Sequence, residues 1–191
     1  MILRVTQYGE PILREKGASV TEFNDKLKQF ARDMLETMYD EEGIGLAAQQ
    51  VDVAKQIFVM DLQLGDRPIE FHYEIDGKSP PLELIMPLVV VNPQIVTREP
   101  SAPYEEGCLS FPSIRGEVVR DTVVEMQYQD LEGASHTIVC DGLFARVILH
   151  ENDHLQGVLF IDHMTPLTLR PLQTKIKKLK RSTRDWIKHY G

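Results

Sequence analysis

The sequence predicts an α+β fold with a mostly antiparallel sheet. Three observations predict it: a helix-period segment near the N-terminus, a middle region of short β-branched and aromatic segments, and two further helical segments toward the C-terminus. This order is typical of α+β proteins and differs from the strict strand–helix alternation that builds a parallel sheet. With 191 residues, 42% of them hydrophobic and 26% charged, the chain has the length and composition of one ordinary globular unit.

The first element is predicted to be a helix over residues 25–40. Asn24 can cap it, because a side-chain oxygen at that position accepts hydrogen bonds from the first free backbone amides. Apolar residues recur at spacings of three and four, which places them on one helix face. They are Leu27, Phe30, Ala31, Met34, Leu35 and Met38.

The middle of the chain is predicted to form strands. Leu131-Glu132-Gly133 is expected to turn the last two of them into a hairpin. The polar region from Gln63 to Pro81, which contains several prolines and glycines, is expected to be a surface excursion. The predicted strands are Gln56–Asp61, Leu88–Val96, Glu117–Gln129 and His136–Val139.

Two helices are predicted to close the chain. Asp141 can cap the first, which is expected to run to about Leu155 and to stop at Gly157. In the second, apolar residues again follow the three-four spacing and form one stripe along a long helix. These residues are Leu169, Leu172, Ile176, Leu179, Thr183 and Trp186.

Charge is distributed unevenly along the chain. The formal net charge is −8, yet residues 170–191 contain eight Lys and Arg against one Asp. The C-terminal segment is therefore at +7 and the remainder at −15. Such a split indicates that the tail meets an anionic partner, although a solvated, lysine-rich helix face is the simpler explanation.

The composition argues against a secreted or membrane protein. Two cysteines are too few for a disulfide scaffold, so a reducing cytoplasm is the expected compartment. The longest apolar run, residues 84–91, is short and is interrupted by Pro87, so no membrane span is expected. The first residues do not follow the pattern of a signal peptide.

The most informative motif is His150-Glu151-Asn152-Asp153-His154. Two histidines four residues apart share one helix face and can bind one metal ion. Glu151 lies beside that face, where it can handle a proton of a metal-bound water without binding the metal. The motif therefore predicts a metal site with hydrolytic chemistry.

The third metal ligand is predicted by elimination among the remaining candidates. Glu151 is the last Glu in the chain, which disfavours the protease layout with a downstream Glu ligand. Phe160 stands where a second protease layout needs a histidine, and His163 comes three residues too late. Cys140 ends an apolar strand and is expected to be a buried, inert thiol. Cys108 remains, and with the two motif histidines it would form a Cys-His₂ site with one open position.

A third stretch, residues 43–50 (GIGLAAQQ), is rich in glycine and alanine and is a weak signal alone. Together with EEGCLS at 105–110 and HENDHLQG at 150–157, it resembles the three signature motifs of the peptide deformylase family, GxGLAAxQ, EGCLS and HExDHLxG. Every fixed position is present and the order is the same. The similarity extends from Gly9 to Asp162, and the predicted C-terminal helix resembles the form common in bacteria.

The resemblance implies removal of the formyl group from the N-terminal formyl-methionine of nascent polypeptides, with release of formate. It assigns the metal to Cys108, His150 and His154, and the acid/base role to Glu151. It assigns stabilisation of the oxyanion to the Gln50 side chain and the Leu109 backbone N–H. Fe²⁺ is the expected metal, and Zn²⁺, Ni²⁺ or Co²⁺ can replace it in some family members.

The resemblance also implies how substrate binds. An extended edge is expected to pair with the peptide backbone, an apolar pocket to take the methionine side chain, and an arginine to contact substrate beyond its first residue. The residues assigned to the edge are Gly43, Ile44, Gly45 and Gly107; those near the pocket are Ile44, Val147 and His150; the arginine is Arg115.

The expected organisation is a catalytic unit over residues 1–165 with a basic helix over residues 166–191 attached to it. In family members with such a helix, the helix binds the ribosome near the exit tunnel. The excursion over about residues 63–87 is longer than in compact members, so the resemblance does not define the entrance side of the site.

Two other classes of function remain alternatives. The chain could be a metalloendopeptidase, which would cleave internal bonds. It could also be a non-catalytic ribosome- or RNA-binding protein with a structural metal, although structural zinc sites usually have four protein ligands and no fourth Cys or His lies near the motifs.

Overall fold

The chain folds around an antiparallel sheet in a computed structural model that describes residues 1–62 and 70–190. Within those residues the sheet has six strands in the order β1-β2-β4-β5-β6-β3. The α+β prediction is confirmed. The strands are β1 (Gly45–Ala47), β2 (Ile57–Met60), β3 (Tyr73–Ile75), β4 (Leu88–Gly107), β5 (Arg115–Gln129) and β6 (Ser135–Asp141); the helices are α1 (Asp25–Asp40), α2 (Gly142–Leu155), α3 (Pro166–Leu169) and α4 (Gln173–Tyr190).

Helix α1 has the predicted bounds and cap. The side-chain oxygen of Asn24 accepts hydrogen bonds from the backbone N–H groups of Lys26 and Leu27, each at 3.1 Å. These bonds satisfy amides that have no partner within the helix. The apolar face of α1 packs on one side of β1 and β2 in a buried cluster that includes Leu27, Ala31, Met34, Met38, Leu46, Ile57 and Val59.

Helix α2 covers the opposite face of the same strands. Side chains alternate along β2, so Ile57 and Val59 face α1 whereas Phe58 and Met60 face α2. Phe144 and Ile148 of α2 are completely buried against this second face. The motif predicted to bind metal, residues 150–154, is therefore carried by a helix that is fixed to the centre of the core.

Strand β4 is longer than predicted. It runs past Val96 to Gly107 and pairs with β5, with register shifts between Val91 and Gln94 and between Arg98 and Ser101. Its prolines at positions 93, 100 and 103 lack backbone N–H groups and interrupt the sequence pattern of a strand. Pairing with β5 maintains the strand through these interruptions and carries it to the residue before Cys108.

The predicted excursion contains a strand. Residues 63–69 lie outside the described part of the chain, but β3 forms within residues 70–81 and pairs with β6. The predicted surface excursion therefore contains a partly exposed edge strand, which the sequence analysis did not identify. Only three residues pair, and the alternation of Tyr73, Glu74 and Ile75 is too short to mark a strand by itself.

The predicted C-terminal helix begins later than expected. Residues 166–172 form the short helix α3 and a 3₁₀ turn, and α4 starts at Gln173. The apolar stripe is present, and Ile176 and Thr183 are buried against the body of the protein. Near its end, the ring of Trp186 stacks under the guanidinium of Arg4 at 4.4 Å. The basic residues of α4 are exposed on its other faces.

Across the two described ranges, the helices are too short or too polar to cross a membrane.

Candidate functional site

Three predicted metal ligands meet on one side of helix α2. His150 and His154 lie one turn apart on the helix, with ring centroids 5.2 Å apart. Cys108 follows the last residue of β4, and its Sγ lies 3.3 Å from Nε2 of His154. The potential ligand atoms of all three residues lie within 4.8 Å of one another. Residues distant in sequence therefore form one compact group.

The donor set of this group fits a metal ion. Tetrahedral coordination with the usual zinc–sulfur and zinc–nitrogen bond lengths places neighbouring ligand atoms about 3.3–3.6 Å apart, close to the observed sulfur–nitrogen separation. His154 is buried, and burial lowers the pKa of its imidazole well below the ordinary value, which favours the neutral form that binds metals. Its Nε2 faces the thiol, so the nitrogen that points to Cys108 is available as a ligand.

The buried carboxylate of Glu106 orients the imidazole of His150. Nδ1 of His150 lies 2.9 Å from Oε2 of Glu106, which leaves Nε2 to face Cys108 and His154. Burial would raise the pKa of Glu106, but hydrogen bonds from His150 and Arg120 lower it to about 2. Glu106 is therefore ionised, and it fixes the orientation of the ring, as carboxylates beside metal-binding histidines commonly do.

Glu106 belongs to a buried network of charges that the sequence analysis missed. Arg120 donates to both oxygens of Glu106, at 2.7 and 3.0 Å, and to Asp153 at 2.6 Å. Arg146 donates to Glu106 and to two backbone carbonyl oxygens. Each buried charge thus has a partner of opposite sign, which the low dielectric of the interior requires. The signal available in the sequence was the acidic residue two positions before Cys108.

Glu151 has a different environment from Glu106. Its carboxyl is buried, and its Oε2 has no hydrogen-bond partner among the described residues. Burial raises the pKa of Glu151 to about 7, although the positive charge of His150 opposes the rise. A carboxyl with a pKa near neutrality can both accept and donate a proton at physiological pH.

Gln50 and Leu109 lie at the same site. The backbone N–H of Ala47 donates to Oε1 of Gln50 at 2.8 Å, so Nε2 is the end of the amide that faces Cys108. That Nε2 lies 3.4 Å from both Cys108 Sγ and Ser110 Oγ. The neighbouring Gln49 points away, with its own Nε2 toward the carbonyl of Glu15. Of the two glutamines, Gln50 is the one that faces the cysteine.

An open cavity of about 610 Å³ leads to this group. All the residues predicted to bind substrate line it, and so do Tyr104, Leu143 and Arg146, which the sequence analysis did not single out. The space beside Gly107 is occupied by the guanidinium of Arg115, which also pairs with Glu105 at 2.8 Å on the rim. The predicted residues on the walls are Gly43, Ile44, Gly45, Gly107, Leu109, Arg115 and Val147.

The second cysteine and the later histidine lie apart from this group. Cys140 belongs to β6 and is buried in the core, and burial raises the pKa of its thiol to about 12. His163 contacts Asp153 at 2.8 Å on the outer side of α2. Neither contributes a ligand atom to the group that Cys108 forms with the two motif histidines.

The fold and the site together define a class of protein. A Cys-His₂ group with a buried, unpaired carboxyl on the same helix, at the inner end of an open cavity, is typical of hydrolases with one metal ion. The polypeptide deformylase family model matches residues 2–170. The chain belongs to the peptide deformylase family.

Relatives and solved structures agree with this assignment. A peptide deformylase from Opitutus terrae is 48% identical over 186 residues, which cover 96% of each chain. The crystal structure of a plant peptide deformylase has a TM-score of 0.82 at 34% identity and covers 96% of this chain and 91% of its own. A Plasmodium falciparum peptide deformylase solved with an inhibitor has a TM-score of 0.78 at 35% identity, with coverage of 93% and 99%.

Proposed function

We propose that this chain hydrolyses the formyl group from the N-terminal formyl-methionine of nascent polypeptides and releases formate. The observation that carries the proposal is the convergence of Cys108, His150, His154 and the unpaired carboxyl of Glu151 at the end of one cavity. Membership of the peptide deformylase family indicates the reaction, and the site contains a candidate residue for each of its steps.

Metal dependence is part of the proposal. Cys108, His150 and His154 would hold one ion, which supplies a Lewis acid and a water molecule of lowered pKa. We propose Fe²⁺ as the native metal. A thiolate with two imidazoles also suits Zn²⁺, Ni²⁺ and Co²⁺, so these ions are expected to substitute.

Glu151 acts as the acid/base of the reaction. Its carboxylate accepts a proton from the attacking water and passes that proton to the leaving amine. A pKa of about 7 suits both steps, because the group is then close to half-protonated near neutral pH. Glu151 has no hydrogen bond to another described side chain that would compete for this proton.

Gln50 and Leu109 stabilise the formyl oxygen as negative charge develops on it. The Gln50 amide is oriented before substrate binds, because its oxygen is already bonded to the Ala47 N–H and its NH₂ faces the site. The backbone N–H of Leu109 supplies the second donor. Losing one donor of this kind costs about 2.7–4 kcal/mol of transition-state stabilisation.

The substrate backbone lies along the edge formed by residues 43–45 and Gly107. The methionine side chain enters the cavity between Ile44 and Val147, and Arg115 contacts the peptide further out. Ile44 is 40% exposed, which is consistent with an apolar wall that a ligand covers. The basic face of α4 binds ribosomal RNA, and the enzyme works in the cytoplasm, where nascent chains are made.

The experiment is a formate-release assay with formyl-Met-Ala-Ser, acetyl-Met-Ala-Ser and casein, on protein prepared without oxygen. We expect rapid deformylation, little deacetylation and no cleavage of internal bonds. Chelator and peroxide should inactivate the enzyme, and Ni²⁺ or Co²⁺ should restore an activity that resists oxidation. Equal rates on formyl and acetyl peptides, or cleavage of casein, would contradict the proposed reaction. Fully active, peroxide-resistant protein that contains only zinc would contradict the Fe²⁺ assignment.

A further inference from the structure

Gly45 lies directly against the carboxyl of Glu151. Along β1, Gly45 and Ala47 face α2, whereas Leu46 faces α1. A Cβ atom added to Gly45 would stand 2.8 Å from Cδ and 3.0 Å from Cγ of Glu151, and its nearest neighbour would be Oε1. A real Cβ essentially never approaches another atom so closely, so the carboxyl occupies the space that a side chain at position 45 would fill.

The backbone at Gly45 does not itself require glycine. Gly45 is in an extended strand, paired with Met60 of β2, and its φ lies outside the left-handed region. Any residue adopts such a conformation without strain. The requirement for glycine at this position therefore comes from the contact with Glu151.

No hydrogen bond to a described residue fixes the Glu151 carboxyl. Within the described residues, its Oε2 is buried without a partner, whereas the carboxyl of Glu106 is fixed by hydrogen bonds from His150 and Arg120. The position of the Glu151 carboxyl is thus set by its side-chain rotamer and by the surfaces against it. Gly45 is the surface that permits this rotamer.

We infer that Gly45 is a positioning residue for the hydrolysis, because its missing side chain lets the Glu151 carboxyl stand at the metal centre. The inference rests on the proposed acid/base role of Glu151. An added methyl group would meet the end of a flexible side chain, so the fold can adapt by moving the carboxyl. A displacement of about 1 Å in a catalytic group can reduce the rate about 100-fold.

The first test is a crystal structure of the metal-loaded Gly45→Ala variant beside that of the unmodified protein. We expect unchanged metal content and a displaced Glu151 carboxyl. A carboxyl in its original position beside the new methyl group would overturn the inference. This outcome does not depend on activity, so it is distinct from failure of the formate-release assay, which would instead contradict the proposed function.

The second test is a double-mutant cycle with Glu151→Asp, assayed on formyl-Met-Ala-Ser. Gly45→Ala alone should lower kcat about 100-fold and change KM less than about threefold, because the backbone that contacts the peptide is unchanged. The shorter carboxyl of Glu151→Asp leaves room for the methyl group. In that background, Gly45→Ala should therefore lower kcat by less than about threefold.

Equal losses of kcat in both backgrounds, or a loss confined to KM, would show that position 45 acts on the peptide and would overturn the inference. Leu46→Val is the matched control, because it alters packing in the same strand on the face toward α1; it should lower thermal stability and leave kcat unchanged. If Gly45→Ala does not fold, the folding of the Gly45→Ala/Glu151→Asp double variant decides between the outcomes. A folded double variant supports the contact between position 45 and Glu151, and an unfolded one overturns the inference.

Discussion

At the scale of single residues, two carboxyl groups next to the proposed metal ligands have pKa values shifted in opposite directions. Against the effect of burial, hydrogen bonds from His150 and Arg120 lower the pKa of Glu106 to about 2. By contrast, burial raises the pKa of Glu151, which has no such partners among the described residues, to about 7. Similar burial therefore suits Glu106 to orient His150 and suits Glu151 to the proposed proton transfer. The difference between the two pKa values comes from hydrogen bonds and not from the degree of burial.

Glu151→Gln should separate metal binding from catalysis. Because Glu151 is outside the ligand group, the variant is expected to keep stoichiometric metal and to lose activity by about two to four orders of magnitude. Cys108→Ala is the matched comparison and should lose the metal itself. Metal analysis of both purified proteins, with formate release, checks the prediction. Near-normal turnover in metal-replete Glu151→Gln would remove the acid/base role.

The sequence predicted the proximity of residues within one short motif, but it did not predict the distant side chains that hold them in place. His150, Glu151 and His154 share one helix turn, so their proximity follows from helix geometry alone. Arg120 meets Glu106 only through the pairing of two long strands, and that pairing is not visible in either segment by itself. Long-range partners of this kind have no local signature.

At the scale of secondary-structure elements, one histidine joins two turns at the far end of the sheet. His136 of β6 lies 2.7 Å from Asp76, which follows β3, and 3.1 Å from Asp130, which precedes the hairpin turn. A hydrogen bond to Asp76, opposed by partial burial, raises the pKa of His136. The hydrogen bonds to His136 lower the pKa of both aspartates. We refer to these three hydrogen-bonded residues, His136, Asp76 and Asp130, as the clasp.

The clasp should stabilise the protein in a defined pH range. A raised histidine pKa gives stability that is complete below the ordinary value of 6.5 and is lost as pH rises through the folded value. Lowered aspartate pKa values give stability that is complete above 3.8 and is lost as pH falls. The clasp is therefore strongest between these two values.

His136→Gln tests the clasp through the free energy of unfolding, measured at pH 5.5 and pH 9. We expect a loss of about 1 kcal/mol or less at pH 5.5, because the pairs are partly exposed, and a smaller loss at pH 9. His189→Gln is the control, since His189 is exposed and its hydrogen bond is to a carbonyl of its own helix. A loss that does not change with pH would contradict the ionic nature of the contact.

The elements themselves were predicted unevenly, and for a physical reason. Helix α1 buries one face, so its period and its Asn24 cap are visible in the sequence. Helix α2 is buried at every position from Phe144 to Glu151, and the predicted side-chain cap by Asp141 is wrong, because its carboxylate accepts the backbone N–H of His72 instead. Strand β4 was predicted only as far as Val96, because beyond it most side chains are exposed and prolines recur. The pairing with β5 that preserves the strand is a property of both strands together.

At the scale of the whole molecule, the uneven distribution of charge along the sequence becomes a basic surface on helix α4. Helix α4 uses its apolar stripe to pack on the body, and its exposed side carries a basic row at helical spacing. Lys177, Arg181, Arg184 and Lys188 are all exposed and recur every three or four residues along it. Because Ile176 and Thr183 are buried, removal of the helix would uncover apolar surface, so charge reversal is the better test of ribosome binding.

The variant Lys177→Glu/Arg181→Glu/Arg184→Glu should lose co-sedimentation with ribosomes and keep its rate on formyl peptides. Binding of the unmodified protein should weaken steeply with salt, because phosphate contacts release counterions. Lys16→Glu/Lys26→Glu/Lys78→Glu is the control, since it changes net charge equally at exposed positions away from α4. If both triple variants bind alike at low salt, the tail is a solvated helix.

The prolines of β4 have a further consequence for a protein whose proposed substrates are extended, newly made chains. Beyond Val91, β4 pairs with β5 on one side, and the described residues place no strand on its other side. A long bare strand edge of this kind invites aggregation, because any unfolded chain can add to it by backbone hydrogen bonding. Prolines at 93, 100 and 103 have no backbone N–H to offer such a chain. We therefore expect this stretch of β4 to be a poor template for the incoming polypeptides on which the enzyme is proposed to act.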